Sequence, residues 1–314
     1  MRTGALALGL LGALGAKAQT ADSAEVEAVR RMVTLSEVVV RSDLNVPRFL
    51  QRIRNDSSYY KAFKNLHILG YTSENYIELF DKKGRSQAGL RSKTRQHRDR
   101  NCRTMEVLEE AVTGDFYDGN HNYNYYTAQL YDAFFFTHGT VCGETNIVAG
   151  SQHSVQGKKG LEKNKEQLKM LFFNPGQKIP GIPFIGNKLD VFDEEIAQKY
   201  NYSIDTSSVI NGIPCYVFRI ERRDDLSRSE RGDIVFDNIT TWFNQKTMEI
   251  VGRNYDLSYD AGVYDFDVHM KVEMMKVGDY LVPYTLSYRG NWHLMFKGRE
   301  RGLFNATLHD FKIP

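Results

Sequence analysis

The hydrophobic pattern is clearest in the last third of the chain. From Tyr264 the apolar side chains fall on every second residue, Tyr264, Phe266, Val268, Met270, Val272 and Met274, while Asp265, Asp267, His269, Lys271 and Glu273 take the alternate places. A period of two marks a β-strand with one wet face. After Gly278 and Asp279 the alternation resumes as Tyr280, Val282, Tyr284, Leu286 and Tyr288; after Arg289, Gly290 and Asn291 it starts again at Trp292, Leu294 and Phe296. With 234–243 and 248–259 before this meander and 303–311 after it, the pattern predicts six consecutive strands. Their short connections predict a curved antiparallel sheet whose buried face needs a cover.

The front of the chain reads differently. Residues 19–34 are mixed in character and read as a flexible segment, and the β-branched run at 35–41 (LSEVVVR) predicts a short strand. Asn45 is placed to cap a helix with Pro47 in its first turn and an apolar stripe of Val46, Phe49, Leu50 and Ile53. A second helical stretch follows through Tyr60, Phe63 and Leu66. Strands are predicted at 67–80, 86–95 and 104–117, the first pair joined by the turn Asp81-Lys82-Lys83-Gly84. The aromatic cluster at 122–136 can fill a core or line a ligand pocket, and core is the favoured reading. A helix at 161–173, a short helix at 193–200, a strand at 215–221 and a charged, flexible hairpin loop at 222–232 complete the forecast. The segment 179–186 has two prolines and two glycines among large apolar residues, so it is a buried crossover or an apolar lid. The fold class expected is α+β: a large curved, half-barrel-like antiparallel sheet covered by a few helices. Residues 35–314 are expected to form a single domain with a helical and loop crossover near 161–200.

Composition narrows the compartment. Arg2, the apolar run at 5–14 and the Ala16-Lys17-Ala18 ending match a secretory signal cut after residue 18. Its removal takes Arg2 and Lys17, leaving 39 basic side chains of the 41 against 39 acidic ones. A chain so balanced has no global field to draw it to nucleic acid or anionic lipid. No later apolar run is long enough to span a bilayer as a helix. The mature protein is thus expected in the periplasm or at the outer-membrane periphery. Three cysteines, Cys102, Cys142 and Cys215, allow one disulfide and a leftover thiol, or three buried thiols.

Candidate chemistry is sparse. No zinc helix, phosphate loop, dinucleotide fingerprint or nucleophile elbow occurs, and no cofactor or catalytic residue is expected. His138 with Cys142 is weak as a Cys-His pair, because a buried cysteine near a loop histidine is commoner. Asp265, Asp267 and His269 share a strand face, but alternation alone explains them as its wet side, and no metal is assigned. Nine Lys or Arg and one acid, Asp99, lie between Lys82 and Arg103; the run reads as the charged surface of an exposed edge strand rather than a phosphate or headgroup site. The sharper expectation is one of supply. The strands from 264 to 296 present more apolar surface than one short helix covers, so the helices at 47–54 and 161–173, the aromatic cluster, the proline-rich loop or a ligand must cover it; an apolar ligand is expected among Phe266, Met270, Tyr284 and Trp292 of the sheet and Ile182, Phe184 and Ile185 of the loop.

The phrase FNQKTMEIV at 243–251, with RNYDLSY at 253–259 and YDFDV at 264–268, resembles the C-terminal part of uncharacterised secreted proteins of Bacteroidetes. The LSEVVVRSD start and the following VPRFLQRIRND are similar to a segment of envelope proteins of that group. The order of helix, strand run, helical crossover and strand run resembles the lipoprotein-carrier (Lol-type) half-barrels. That resemblance implies a non-enzymatic protein holding a lipid, acyl chain or lipidated partner in its concave face. The alternative is a structural or assembly partner of an outer-membrane protein complex.

Overall fold

The computed structural model describes residues 24–148, 167, 169–179, 186, 188–260, 264–294 and 298–314. The chain opens with a helix over residues 24–32 (α1), then β1 (Val33–Leu35) and a one-turn helix α2 (Glu37–Val40). Two expectations are corrected here. The described part of the segment expected to be flexible is helical, with Val26 and Val29 buried. The strand expected at 35–41 lies earlier, at Val33–Leu35, and most of the β-branched run is helical. The reason is tertiary. β1 runs parallel to a later strand only as far as Leu35, and α2 then buries Val39 while leaving Val40 in solvent, so packing overrides β-propensity.

Next come α3 (Val46–Arg54) and α4 (Ser58–Asn65). Asn45 caps α3 as its position predicts, its side chain accepting from the Arg48 amide at 3.0 Å, and Phe49, Leu50 and Ile53 are buried. Three long strands follow, β2 (Gly70–Phe80), β3 (Ser86–Asp99) and β4 (Cys102–Gly114). The aromatic cluster becomes α5 (Tyr126–Phe135), with Tyr131 and Phe135 in the core as favoured. The two-residue strand β5 (Val141–Cys142) pairs with the start of β4, where Cys102 and Cys142 form a disulfide and leave Cys215 a buried thiol. Residues 169–173 are helical (α6), and the short α7 (Glu194–Ala197) begins at the capping side chain of Asp193. α7 stops before Tyr200 because Tyr200 already starts β6 (Tyr200–Ile210), a strand the pattern had not shown. β7 (Ile213–Arg222) leads into the charged connection, which is no loose loop: Ser227 and Glu230 form a reciprocal capping box on α8 (Arg228–Arg231).

The sheet closes with β8 (Phe236–Asn244), β9 (Ile250–Asp260), β10 (Tyr264–Val277), β11 (Tyr280–Leu294) and β12 (Gly298–Lys312). β11 corrects the six-strand forecast. Arg289-Gly290-Asn291 is not a turn; Gly290 pairs with Val268 on one side and Gly302 on the other, in mid-strand. Among the described residues twelve strands form one open, curved half-barrel in the order β1-β6-β7-β8-β9-β10-β11-β12-β2-β3-β4-β5. It is mixed rather than purely antiparallel, since β1 joins β6 in parallel.

One face is wet and the other carries the core. On β10 the buried set is Phe266, Val268, Met270, Val272 and Met274, the phase read from the sequence. The helical layer lies over this concave face. α5 is held to it by an unusual cap: Glu300 of β12 accepts from the amides of Tyr126 and Thr127, at 2.9 and 3.0 Å, and from the Thr127 hydroxyl. A remote carboxylate thus serves the orphan donors of a helix that lacks its own capping side chain. Glu300→Ala should cost about 1–2 kcal/mol, read as a lower urea midpoint at constant slope. An unchanged midpoint would mean that water replaces the carboxylate without loss.

Candidate functional site

Between the helical layer and the sheet lies a seam of rings. Leu130, Tyr131 and Phe134 come from α5, Phe172 and Phe173 from α6, and Met270, Tyr288 and Phe304 from three successive strands. Phe63 of α4 stacks on Phe173 at 4.0 Å, Tyr288 stacks on Phe304 at 4.7 Å, and Phe134 meets Phe173 edge-on at 5.4 Å. The void they leave is about 10 Å³. That is room for one water at most, so as it stands the seam is packed and holds no ready-made acyl channel. One polar tie between α6 and the sheet is the bond from the Tyr255 hydroxyl to the Phe172 carbonyl.

The residues expected to meet a ligand divide into three sets. Met270 lines the seam; Phe266 and Trp292 are buried just beyond it, 5.2 Å apart, with Trp292 touching Phe172 at 6.0 Å. Tyr284 does not join them. It is the extra residue at a bulge, where Glu273 pairs with Thr285 and Met274 with Pro283, and its hydroxyl bonds Glu273 at 2.5 Å and Asn211 at 2.7 Å. Ile182, Phe184 and Ile185, like Phe296, lie outside the described residues.

Polar groups at inward positions escaped the sequence reading. Asn75 of β2 is buried and fully engaged: its amide nitrogen donates to Ser92 and Thr94, at 3.2 and 3.3 Å, and its oxygen accepts from Ser73 and Tyr131, at 2.7 and 2.6 Å. Gln96 donates to the Leu66 and Leu69 carbonyls and accepts from Arg103 and Thr137. Arg103 also reaches Glu144. Burial of Glu144 works against its ionisation, yet bonds from His67 and Arg103 prevail and hold its carboxyl well below the usual range. On β9 the inward phase Val251, Arg253, Tyr255, Leu257 contains an arginine. The signal that could have found these groups was present in the sequence as polar residues in the apolar phase of a strand.

The remaining candidates are accounted for by their neighbours. His138 pairs with Asp132 at 2.7 Å and Cys142 is in the disulfide, so the two form no catalytic pair. His269 bonds Asp256 at 2.7 Å, Asp265 bonds Arg299 at 2.8 Å, and no group of three metal-ligating side chains occurs among the described residues. The basic run is corrected in its reason. β3 is flanked on both sides rather than at the edge, and its charges answer partners across the strands: Lys93 with Glu74, Arg95 and His97 with Glu106, and Arg91 over the Tyr76 ring at 5.0 Å. Among the described residues the open edge belongs to β4, whose Val107, Leu108 and Val112 are exposed and which β5 pairs at Cys102 and Arg103.

No family model matches the chain, and no curated protein does. Among solved structures it is similar to a domain assigned to outer membrane lipoprotein sorting, from Vibrio parahaemolyticus, at 8% identity and a TM-score of 0.25, covering 77% of this chain and 84% of that one. A DUF1329 family protein from Desulfovibrio piger gives 11% identity and a TM-score of 0.25, covering 82% and 94%. Lipovitellin gives 9% identity and a TM-score of 0.28, covering 79% of this chain and 26% of its own. Likenesses this loose carry no functional argument. No helix among the described residues is long and apolar enough to cross a membrane.

Proposed function

We propose that this is a secreted envelope protein that takes an apolar chain between its helical layer and the concave face of its half-barrel. The observation that supports it is the seam itself. Its apolar lining is mostly aromatic rings with Leu130 and Met270, side chains that re-pack around a flexible guest, while polar bonds tie the two layers at Glu300, Asn75 and Tyr255. In this reading α5 and α6 part to admit the chain, and the void of about 10 Å³ is the closed state. Ile182, Phe184 and Ile185, which lie outside the described residues, stay in this reading as further contacts of the apolar chain. Protein purified from an envelope fraction should carry extractable lipid, and the stripped protein should enhance the fluorescence of a neutral probe, methyl parinarate. Phe134→Asp, at a half-buried ring of the seam, should abolish that uptake while sparing the circular-dichroism spectrum, since a charge there opposes apolar occupancy more than folding. Failure of wild type to bind any acyl probe ends this reading.

The uncovered edge of β4 favours a second one, an assembly partner of an outer-membrane protein. A strand edge that is open among the described residues, with Val107, Leu108 and Val112 exposed, is a template for strand addition. Its mark would be a stoichiometric membrane protein, and no lipid, on purification.

A further inference from the structure

Arg253 stands on the concave face of β9, opposite Thr241 of β8 and Val272 of β10, and is only 7% exposed. Its Nε donates to the Thr241 hydroxyl at 2.9 Å, and its guanidinium lies over the Tyr59 ring at 4.4 Å. The terminal nitrogens have no acceptor, and the group no ion pair, among the described residues. An arginine stays charged in a protein, and a buried charge without a counter-ion is destabilising. A half-buried arginine of the same chain has carboxylate partners: Arg54 meets Glu25 at 2.8 Å and Asp190 at 3.3 Å. At Arg253 burial instead weakens the hold on the proton, with Tyr59, Asp56 and Tyr255 opposing it only in part.

A cavity of about 20 Å³ adjoins the guanidinium, bounded by Asp56, Asn174, Gln177 and Thr241 among others. Asp56, its one carboxylate, is turned to the start of α4, where it accepts from the Ser58 amide and hydroxyl at 3.0 and 3.1 Å. The cavity and the seam share a wall: residues 172–173 line the seam, 174–177 line the cavity, and the Tyr59 ring beneath Arg253 touches Phe63 at 5.5 Å, which stacks on Phe173.

We propose that Arg253 receives the oxyanion of an amphiphile, the carboxylate of a long-chain fatty acid, while the chain enters the seam. This rests on the apolar-chain reading above and gives it a polar end. A planar guanidinium with free paired donors matches a carboxylate bidentately. The nearby Asn174 lines the same cavity and adds polar surface as it opens with the seam.

The test compares cis-parinaric acid with its methyl ester on the full mature chain, at a pH where the acid is ionised. Wild type should bind the acid at least about tenfold more tightly, a difference of about 1.4 kcal/mol. Arg253→Met, which keeps the stem and removes the charge, should bind the two alike. Equal binding by wild type overturns the headgroup assignment and leaves the chain-binding reading standing; binding of neither overturns both. If free acetate or inorganic phosphate abolishes the preference for the acid at modest concentration, the site is one for free anions and the amphiphile is wrong. Should Arg253→Met fail to fold, the wild-type comparison and its anion competition still decide.

Discussion

Gly290→Ala should destabilise the protein by about 2–3 kcal/mol, and Gly290→Val by more, although the position is neither a turn nor a positive-φ residue. Tyr288 and Trp292 flank Gly290 on the same strand face, and the Trp292 indole nitrogen donates to the Tyr288 hydroxyl directly across it. A Cβ at 290 would fall inside the Tyr288 phenol and 2.7 Å from the indole nitrogen. Neither ring can retreat, because Tyr288 is stacked on Phe304 and Trp292 is wedged between Phe266 and Phe172. Urea unfolding of the variants measures the cost, and a second substitution locates it. In a Tyr288→Leu background the added methyl should cost under about 1 kcal/mol, a coupling that a generic loss of strand glycine would not produce. Additive costs would show that the clash is relieved elsewhere.

That glycine also shows why part of the fold was hidden. The alternation of 264–274 and 280–288 was legible because one face is buried and the other wet, and the burial on β10 follows it residue by residue. Gly290 broke the alternation and so imitated a turn. Its meaning depends on two aromatic neighbours leaning together, a relation that a linear pattern does not carry. The error at 35–41 has the same origin: where β1 stops is decided by its partner β6, far along the chain. Tyr284 was misplaced because a bulge shifts the phase by one residue, and bulges have no composition of their own here. The seam was half legible. Met270, Phe266 and Trp292 were read from the sheet, whereas Phe172, Phe134 and Tyr131 belong to helices whose approach to the sheet is tertiary. Arg253 and Asn75 were visible as polar residues in an apolar phase, but only once the phase of β9 and β2 was known.

Replacing both Cys102 and Cys142 by serine should cost about 4 kcal/mol, the largest effect expected from any change outside the core. The bridge spans a sequence separation of 40, and its loop contains all of α5, so the reduced unfolded chain gains the entropy of a long loop. The native side loses more locally than an average surface strand would. β5 has two register pairs with β4 among the described residues, and beyond the bridge the segment is held by Arg103 and His67 on Glu144, the Gly143 amide on the Asn101 carbonyl, and Asn146 on Asn65. Without the bridge β5 should leave the sheet first, lengthening the uncovered edge of β4 to its full span from Cys102 to Gly114. Two measurements bear on this. Thiol titration of the unfolded, non-reduced protein should find one reactive group, Cys215, and three would refute the bridge. Denaturant unfolding of the double serine variant should show the stability loss together with faster hydrogen exchange along β4 and β5; a loss without that local signature would assign the effect to the unfolded state alone. A bridge of this kind persists where thiols are oxidised, the setting that the proposed secretion would supply.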